Sequence, residues 1–407
     1  MQRTLFFFTE LYPYGKGESF IENEIGYLCK EFSKVVIVPS QPVSHADTMR
    51  EIPPNASVYT VDDVSKTELL LLLPNNVLTI IKAFTKEFFS TREGFFRKIR
   101  NIKRYVSNIL RAINLNSHLD QDFNDADACY YSYWMNNGAL ALSIRKIKNA
   151  DIEFIVRVHG YDLYNERSES GIVIFQQLNC YQAKYVLPVS DHGRKYLANI
   201  KPAFSSKFIT SHLGVPDRGI NFNRSPTSEF VIVSCSFMHP IKRIHLIVEA
   251  LMQVKLNIKW IHLGGGPEMP RIKELCRYLP KNISAELPGN LTNSEIIEFY
   301  QHNPVDLFIH LSETEGIPVA IMEAVSFGIP VLATDVGGVG ELVNEQTGIL
   351  VRESITPFEV VQEITQFFSS DRISPAFRAS VKKYWYNHFN AELNYQAFIN
   401  EYLFDND

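Results

Sequence analysis

The chain has 407 residues, 45% apolar and 21% charged, the make-up of a globular protein long enough for two or three domains. That balance excludes a disordered chain, a coiled coil and a collagen. Forty basic residues against 45 acidic ones give a net charge of −5, so the whole protein lacks the positive field that binds nucleic acid.

The first apolar run, 5–8, reads as a strand rather than as part of a secretory leader, whose apolar region is longer. Similar runs, rich in β-branched and aromatic residues, follow at 35–38, 129–133, 154–158 and 185–189. Helical spacing fills 19–32 and 136–148. Strands alternating with helices predict parallel βαβ units. The longest pure apolar run, 69–73, is five residues and stops at Pro74, whereas a membrane span needs roughly 20. Residues 82–111 carry nine basic side chains and two acidic ones, with Phe84, Phe88, Phe89, Phe95, Phe96, Ile99, Ile102 and Val106 interleaved. Two readings stand for this stretch: a surface that lies on an anionic membrane, or core-facing helices whose solvated side is basic.

A polar, Pro-containing connector interrupts the alternation near 198–228. A second series of runs then begins at 230–234, 260–263, 307–311 and 330–333, with helices expected at 245–254, 270–278, 294–300 and 319–327. From 374 to 404, apolar residues recur at helical spacing, among them Val381, Trp385, Phe389 and Phe398. They predict a terminal helix long enough to leave the second domain and pack on the first. The fold class is α/β: two doubly wound, Rossmann-like domains facing a central cleft. Residues 1–205 completed by 386–407 form the first and 206–385 the second. In such sheets ligands bind beyond the carboxyl ends of the strands.

The text richest in chemistry is Ser312-Glu313-Thr314-Glu315-Gly316-Ile317-Pro318-Val319-Ala320-Ile321-Met322-Glu323-Ala324-Val325, a strand running through a short loop into a helix. Pro318 suits a helix start, where no N–H is needed. The amides of Gly316, Ile317 and Val319 are then free to face an anion, helped by the helix dipole. Glu323 falls in the second turn, roughly 5–8 Å further along the axis. One carboxylate would lie beside a bound phosphate, and the other would reach a neighbouring ribose, whose vicinal hydroxyls it can accept at both oxygens. On spacing alone, the alternative is a pair of helix-cap or surface glutamates.

This stretch closely resembles the retaining glycosyltransferases of family 4, marked by two glutamates in an E-G-x-x-x-x-x-x-E-A setting, here Glu315 and Glu323. The resemblance continues through Gly328-Ile329-Pro330-Val331-Leu332-Ala333-Thr334-Asp335-Val336-Gly337-Gly338 and Glu341, and in pieces over nearly the whole chain. It is similar to the subgroup that builds bacterial capsular and other surface polysaccharides. It implies the GT-B fold. A nucleotide sugar, UDP- or GDP-linked, would be bound by the second domain and a lipid-linked glycan or polysaccharide acceptor by the first, with no cofactor or metal. The enzyme would be cytoplasmic, peripheral on the inner face of the plasma membrane.

The family's roles fall on single positions. Lys242 matches the lysine that holds the donor diphosphate. The arginine expected five residues before it is replaced by Phe237, and the adjacent Arg243 is the candidate substitute, with a fork suited to phosphate. Val158-His159-Gly160-Tyr161-Asp162 resembles the H-G-x-D segment, which would aim His159 at the donor. Tyr12-Pro13-Tyr14-Gly15-Lys16-Gly17-Glu18 resembles the glycine-rich loop near the donor phosphate; a plain turn is the alternative for Gly15 and Gly17. Gly264-Gly265-Gly266 and Pro288-Gly289-Asn290-Leu291 would line the base and ribose, placing Gly266 and Leu291 there. Glu323 would hold the ribose and Glu315 the donor sugar.

Tyr131-Ser132-Tyr133-Trp134 reads equally as a sugar-stacking cluster or a buried strand end. Asp120-Gln121-Asp122 and Asp125-Ala126-Asp127 match the DxD pattern of metal-using transferases, but they sit in Asn/Asp-rich text and read as a solvated turn. The five cysteines (29, 129, 180, 235 and 276) are odd in number and far apart, with no CxxC, and read as reduced thiols. HExxH, Walker A and GxSxG motifs are absent. Two rivals to a transferase remain: a nucleotide-sugar epimerase of the same fold, and a non-catalytic nucleotide-sugar-binding component of a polysaccharide assembly complex.

Overall fold

The structure, a computed structural model, describes residues 3–15, 17–43, 48–61, 65–88, 95–122, 128–168, 170–223 and 229–404. The chain divides into two compact units: residues 1–212 with 395–407 (unit 1), and residues 213–394 (unit 2). Unit 1 is built on β1 (Thr4–Thr9), β2 (Lys34–Pro39), β3 (Ala56–Val58), β4 (Cys129–Ser132), β5 (Phe154–Val158) and β6 (Tyr185–Pro188). Unit 2 is built on β7 (Phe230–Cys235), β8 (Ile258–Leu263), β9 (Ile283–Gly289), β10 (Leu307–His310), β11 (Val331–Thr334) and β12 (Gly348–Val351). The orders are β3-β2-β1-β4-β5-β6 and β12-β11-β10-β7-β8-β9, with all ladders parallel.

The helices of unit 1 are α1 (Glu22–Glu31), α2 (Lys66–Leu71), α3 (Leu73–Phe88), α4 (Phe95–Arg100), α5 (Ile102–Asp122), α6 (Asn137–Lys148), α7 (Gln176–Gln182) and α8 (Asp191–Ile200). Those that follow are α9 (Ile244–Leu251), α10 (Met269–Cys276), α11 (Asn293–His302), α12 (Val319–Ser326), α13 (Val339–Leu342), α14 (Pro357–Phe368), α15 (Pro375–Phe389) and α16 (Ala391–Phe398).

The strands read from sequence are buried on both faces. Leu5 to Phe8, Val35 to Val38 and Val231 to Val233 are all in the core. This is why they appear as unbroken apolar runs instead of alternating ones. Fully burying each such side chain stabilises the fold by about 1.5–3 kcal/mol. The sheets share one topological property. In unit 1 the order reverses between β1 and β4, and in unit 2 between β7 and β10. The loops leaving those neighbouring strands diverge, opening a crevice at their carboxyl ends.

The second domain, expected to start at residue 206, starts at 213 in the division of the chain. Ile209 N donates to Val186 O at 3.2 Å and Ser211 N to Pro188 O at 2.9 Å, which keeps 208–211 alongside β6. Residues 224–228 of the connector lie outside the described residues. The tail is not one helix. Asn390 adopts an extended conformation, ends α15 and receives Leu393 N on its Oδ1 at 3.2 Å, so α16 starts anew. Only from Tyr395 does the chain count with unit 1. There Phe398 packs on Tyr131, with ring centroids 5.1 Å apart, and against Arg157.

The stretch 82–111 divides between its two readings. Phe84, Phe88 and Tyr105 cluster with Phe175 in the core of unit 1. Lys98 is buried on Glu87, with Nζ 3.4 Å from Oε1. Phe96, by contrast, is 85% exposed, and Ile99, Ile102 and Val106 are also exposed. Leu71 and Leu78, at 76% and 75%, extend the exposed apolar area onto α2 and α3. Phe89 lies outside the described residues, as does the second acidic pair, 125–127. Asp120 and Asp122 are not in a turn: they are the last residues of α5, which runs on past the buried Leu119. Among the described residues, no helix is long and apolar enough to cross a membrane. All five cysteines are free.

Candidate active site

Glu315 lies in the loop between β10 and α12, on one side of the unit 2 switch point; Lys242 lies in the segment after β7, on the other. The two meet. Lys242 Nζ donates to Glu315 Oε1 at 2.5 Å, and His310 Nε2, from the last residue of β10, is 2.7 Å from the same oxygen. Ser312 Oγ is 2.9 Å from His310 Nε2. Burial alone would raise the Glu315 carboxyl, but His310 and Lys242 outweigh it and hold the group well below the usual carboxylate range. The Glu315 carboxylate is therefore favoured as an anion, held by the Lys242 ammonium and by a hydrogen bond to His310.

Pro318 caps the start of α12. The amides of Gly316, Ile317 and Val319 donate to no backbone carbonyl among the described residues. The loop is positioned from behind. Gly338 N donates to Gly316 O at 2.7 Å. Gly337 has φ +57, and a Cβ there would lie 1.8 Å from Glu315 O, so only glycine lets the loop after β11 come this close.

Glu323, in α12, is also buried. Its Oε1 accepts from Asn293 Nδ2 at 2.6 Å. Burial, only partly offset by that bond, pushes its carboxyl up to about 7. The two glutamates thus have opposite electrostatic character: one is fixed as an anion, the other is poised to take up a proton near neutrality.

Arg243 is placed otherwise than expected. Its backbone is left-handed, with φ +48. Its guanidinium donates to three carbonyls: Leu311 O at 2.6 Å, Glu353 O at 2.7 Å and Ser312 O at 3.3 Å. The charge read as a stand-in for the arginine missing at Phe237 is committed to bracing the Glu315 loop. Phe237 itself is exposed. The loops at 264–266 and 288–291 are joined: Gly264 N donates to Gly289 O at 3.0 Å and Gly265 N to Asn290 Oδ1 at 2.9 Å. A Cβ on Gly266 would lie 2.7 Å from Met238 N, which ties this loop to the segment carrying Lys242. Leu291 follows, half-buried.

In unit 1, His159 follows β5 and is packed between Tyr133 and Trp134, with ring centroids 4.6 and 4.3 Å away. Burial lowers its pKa, so the ring is neutral at pH 7. Asp162 Oδ1 accepts His159 N at 2.8 Å and Oδ2 accepts Met135 N at 3.0 Å, which clamps the loop. Tyr131, Tyr133 and Trp134 are themselves buried, so this cluster is a strand end rather than an open stacking surface. Gly15 turns with φ +70 and brings Glu18 back onto the end of β1. The Glu18 carboxylate accepts Glu10 N at 3.0 Å, Leu11 N at 2.7 Å, Tyr12 N at 2.6 Å and Trp134 Nε1 at 2.6 Å. The amides of Glu10, Leu11 and Tyr12, at the start of this loop, are thus taken by the chain's own carboxylate. Gly17 lies within this loop, its carbonyl bonded by Arg50. Lys16 is outside the described residues.

Sequence reasoning missed His310 and Asn293. His310 closes an apolar run and looked like strand text. Asn293 follows Thr292 of a Thr-x-x-Glu capping box, a legible helix start. Among the described residues, no three His, Cys, Asp or Glu side chains gather as a metal site.

Residues 217–388 match the family model described as glycosyl transferases group 1. The Escherichia coli K12 protein WcaL, whose name places it provisionally as a colanic acid biosynthesis glycosyltransferase, is 29% identical over 260 residues, covering 60% of this chain and 63% of that protein. The Escherichia coli O-antigen biosynthesis glycosyltransferase WbnH is 28% identical over 221 residues, 54% of this chain and 61% of its own. The chain thus spans somewhat under two thirds of the length of these relatives. Among solved structures, Anabaena HepE in complex with UDP has a TM-score of 0.67 at 15% identity, covering 98% of this chain and 99% of that one. Sucrose-phosphate synthase from Thermosynechococcus elongatus has a TM-score of 0.69 at 13% identity, covering 98% of each chain. At these identities the likeness concerns the fold, which is GT-B.

Proposed function

Starting from residues 217–388 as a glycosyl transferases group 1 domain, we propose that the protein is a retaining, metal-independent glycosyltransferase of bacterial surface polysaccharide assembly. It moves a sugar from a nucleotide-sugar donor to a hydroxyl of a lipid-linked glycan or polysaccharide. The observation that carries this reading is the Lys242–Glu315–His310 cluster at the switch point, beside the amides of Gly316, Ile317 and Val319 and next to the buried Glu323.

In this mechanism Lys242 and the loop amides stabilise the departing diphosphate, the largest electrostatic demand of the reaction. Glu323 holds the ribose hydroxyls, while the loops at Gly266 and Leu291 line the nucleoside. Glu315, kept ionised, holds the hydroxyls of the donor sugar and steadies positive charge as it develops at the anomeric carbon; it is not assigned as a nucleophile. Attack comes from the face the diphosphate leaves, and the diphosphate takes the acceptor's proton. His159, neutral, offers one hydrogen bond to sugar or acceptor.

The test is calorimetric titration with UDP and with GDP, alongside Glu323→Ala. Binding of one nucleotide, lost in the variant, is the expected result. Binding of neither refutes the donor site. One observation favours a second reading. With Arg243 held by carbonyls, the diphosphate has a single lysine, which suits a non-catalytic nucleotide-sugar-binding component. Donor turnover in the presence of acceptor separates the two.

The exposed Leu71, Leu78 and Phe96, next to Lys82, Arg100 and Lys103, support peripheral binding to an anionic membrane. Replacing Leu71, Leu78 and Phe96 with serine should abolish sedimentation with phosphatidylglycerol vesicles, and unchanged sedimentation refutes it. Lys98 is unsuitable for such a test, because its charge is buried on Glu87.

A further inference from the structure

The switch point of unit 1 carries a cavity of its own, about 220 Å³, assigned no role so far. Its walls include the ends of three central strands and one face of α5, with Glu10 after β1, Asn136 after β4, Tyr161 after β5, and Arg104, Asn108 and Arg111 of α5, and are completed by α6 and by residues 170–174. Spacing explains the helix side. Residues 104, 108 and 111 stand at i, i+4 and i+7 and form one stripe. Tyr105, Ile109, Ala112 and Ile113 form the buried stripe. Ile102, Val106 and Leu110 face a separate apolar cavity with Leu69 and Leu70. At 100° per residue, that apolar stripe and the arginine stripe are roughly 170° apart around α5. The arginine stripe is thus turned away from that apolar surface and lines this cavity instead.

From 94 to 119 the sequence has no acidic residue, so the helix side of the cavity is uniformly positive. Among the described residues, two carboxylates also line the cavity. Asp162 is buried, with both oxygens occupied by the amides of His159 and Met135. Glu10 accepts the Tyr161 hydroxyl at 2.8 Å, which occupies one of its oxygens, and burial raises its pKa. Tyr161 is 43% exposed and leans on Trp134, ring centroids 4.9 Å apart, offering a fixed aromatic plane of the kind that packs on a sugar's C–H face. The volume is below the roughly 300–1,000 Å³ of sites for drug-sized ligands and suits one sugar ring with its phosphate.

We propose that this cavity is an acceptor subsite for a phosphorylated sugar: Arg104 and Arg111 grip the phosphate, Asn108 and Glu10 take ring hydroxyls, and Tyr161 supports the ring. Arginine forks match phosphate oxygens in pairs, which a lysine cannot do. The inference rests on the glycosyl-transfer reading only in calling the bound molecule the acceptor. The same chemistry is presented by a free glycosyl phosphate and by the headgroup of a lipid-linked one.

The full chain is titrated with α-D-glucose 1-phosphate and with methyl α-D-glucoside, each with and without UDP. The sugar phosphate should bind at least tenfold more tightly than the neutral glycoside. Arg104→Gln/Arg111→Gln should erase that preference, and Arg104→Lys/Arg111→Lys should weaken it several-fold while keeping the charge. Both variants should retain the wild-type melting temperature, UDP affinity and sedimentation with phosphatidylglycerol vesicles. Equal affinity for the two probes, or binding of neither, overturns the proposal. So does vesicle binding that falls in step with sugar-phosphate binding, since the arginines would then belong to the membrane-facing charge. Failure of the donor reading shows separately, as absence of UDP binding by the wild-type protein.

Discussion

Glu323→Gln isolates the cost of burying an ionisable group at the heart of unit 2. The carboxyl goes from 4.5 when exposed to about 7 in the folded chain, because it is buried and receives one compensating hydrogen bond from Asn293. The folded state therefore binds this proton more tightly than the unfolded state. Stability is fully present below 4.5, falls as pH rises towards about 7, and is level above that. A gap of about 2.5 at 1.36 kcal/mol each is roughly 3 kcal/mol, an upper figure for an order-of-magnitude shift. Glutamine keeps an oxygen for Asn293 and cannot ionise. Urea unfolding, resolved by hydrogen exchange on peptides from unit 2, compares wild type and variant at about pH 5 and about pH 8. The variant should gain on the wild type by about 2–3 kcal/mol between the two pH values. Parallel pH profiles would refute the reasoning and mean that Glu323 is hydrated or paired in solution.

Lys242→Met leaves His310 as the remaining side-chain partner of Glu315 seen at its Oε1, and should weaken UDP binding about 10- to 100-fold, or about 1.4–2.7 kcal/mol, by calorimetry. Unaltered affinity would remove Lys242 from the donor site. Gly337→Ala forces a methyl to 1.8 Å from Glu315 O at a left-handed backbone position. It should lower stability by about 1–3 kcal/mol, read by thermal melting, and displace the Glu315 loop, read as lost nucleotide affinity. Glu24→Gln leaves Arg157 without its carboxylate, 3.3 Å away in a site where both side chains are fully buried. It should cost about 3–5 kcal/mol in urea unfolding, and a cost under about 1 kcal/mol would show that Tyr131 and the aromatic rings suffice.

The central strands were legible because they are buried on both faces. β3, β9 and β12, all at sheet edges, were not read as runs. β9 alternates exposed with half-buried positions after its buried first residue, and β3 is three residues long, so neither makes an apolar run. Glu315, Glu323 and Lys242 were singled out by their match to the family's motifs, and the fold brings Lys242 and Glu315 into contact. His310 was hidden because a polar residue closing a strand leaves no periodic trace. Arg243 was misjudged because neighbours in sequence need not share a direction: its left-handed backbone turns the guanidinium onto carbonyls. The basic stretch could not be resolved by composition, since Lys98 and Phe96 are alike in hydropathy pattern to their neighbours yet one is buried and the other is not.

The loop after β1 bears on why two like-wound halves are not interchangeable. Each half supplies an internal carboxylate at its switch point, but to different partners. In unit 2, Glu315 leans on Lys242, whose ammonium has three hydrogens to share, so an arriving anion can join without evicting the first. In unit 1, Glu18 leans on main-chain amides, each with a single hydrogen already given away. A newcomer there must compete hydrogen for hydrogen with a covalently tethered rival. The symmetry of the fold is broken by the valence of the donors.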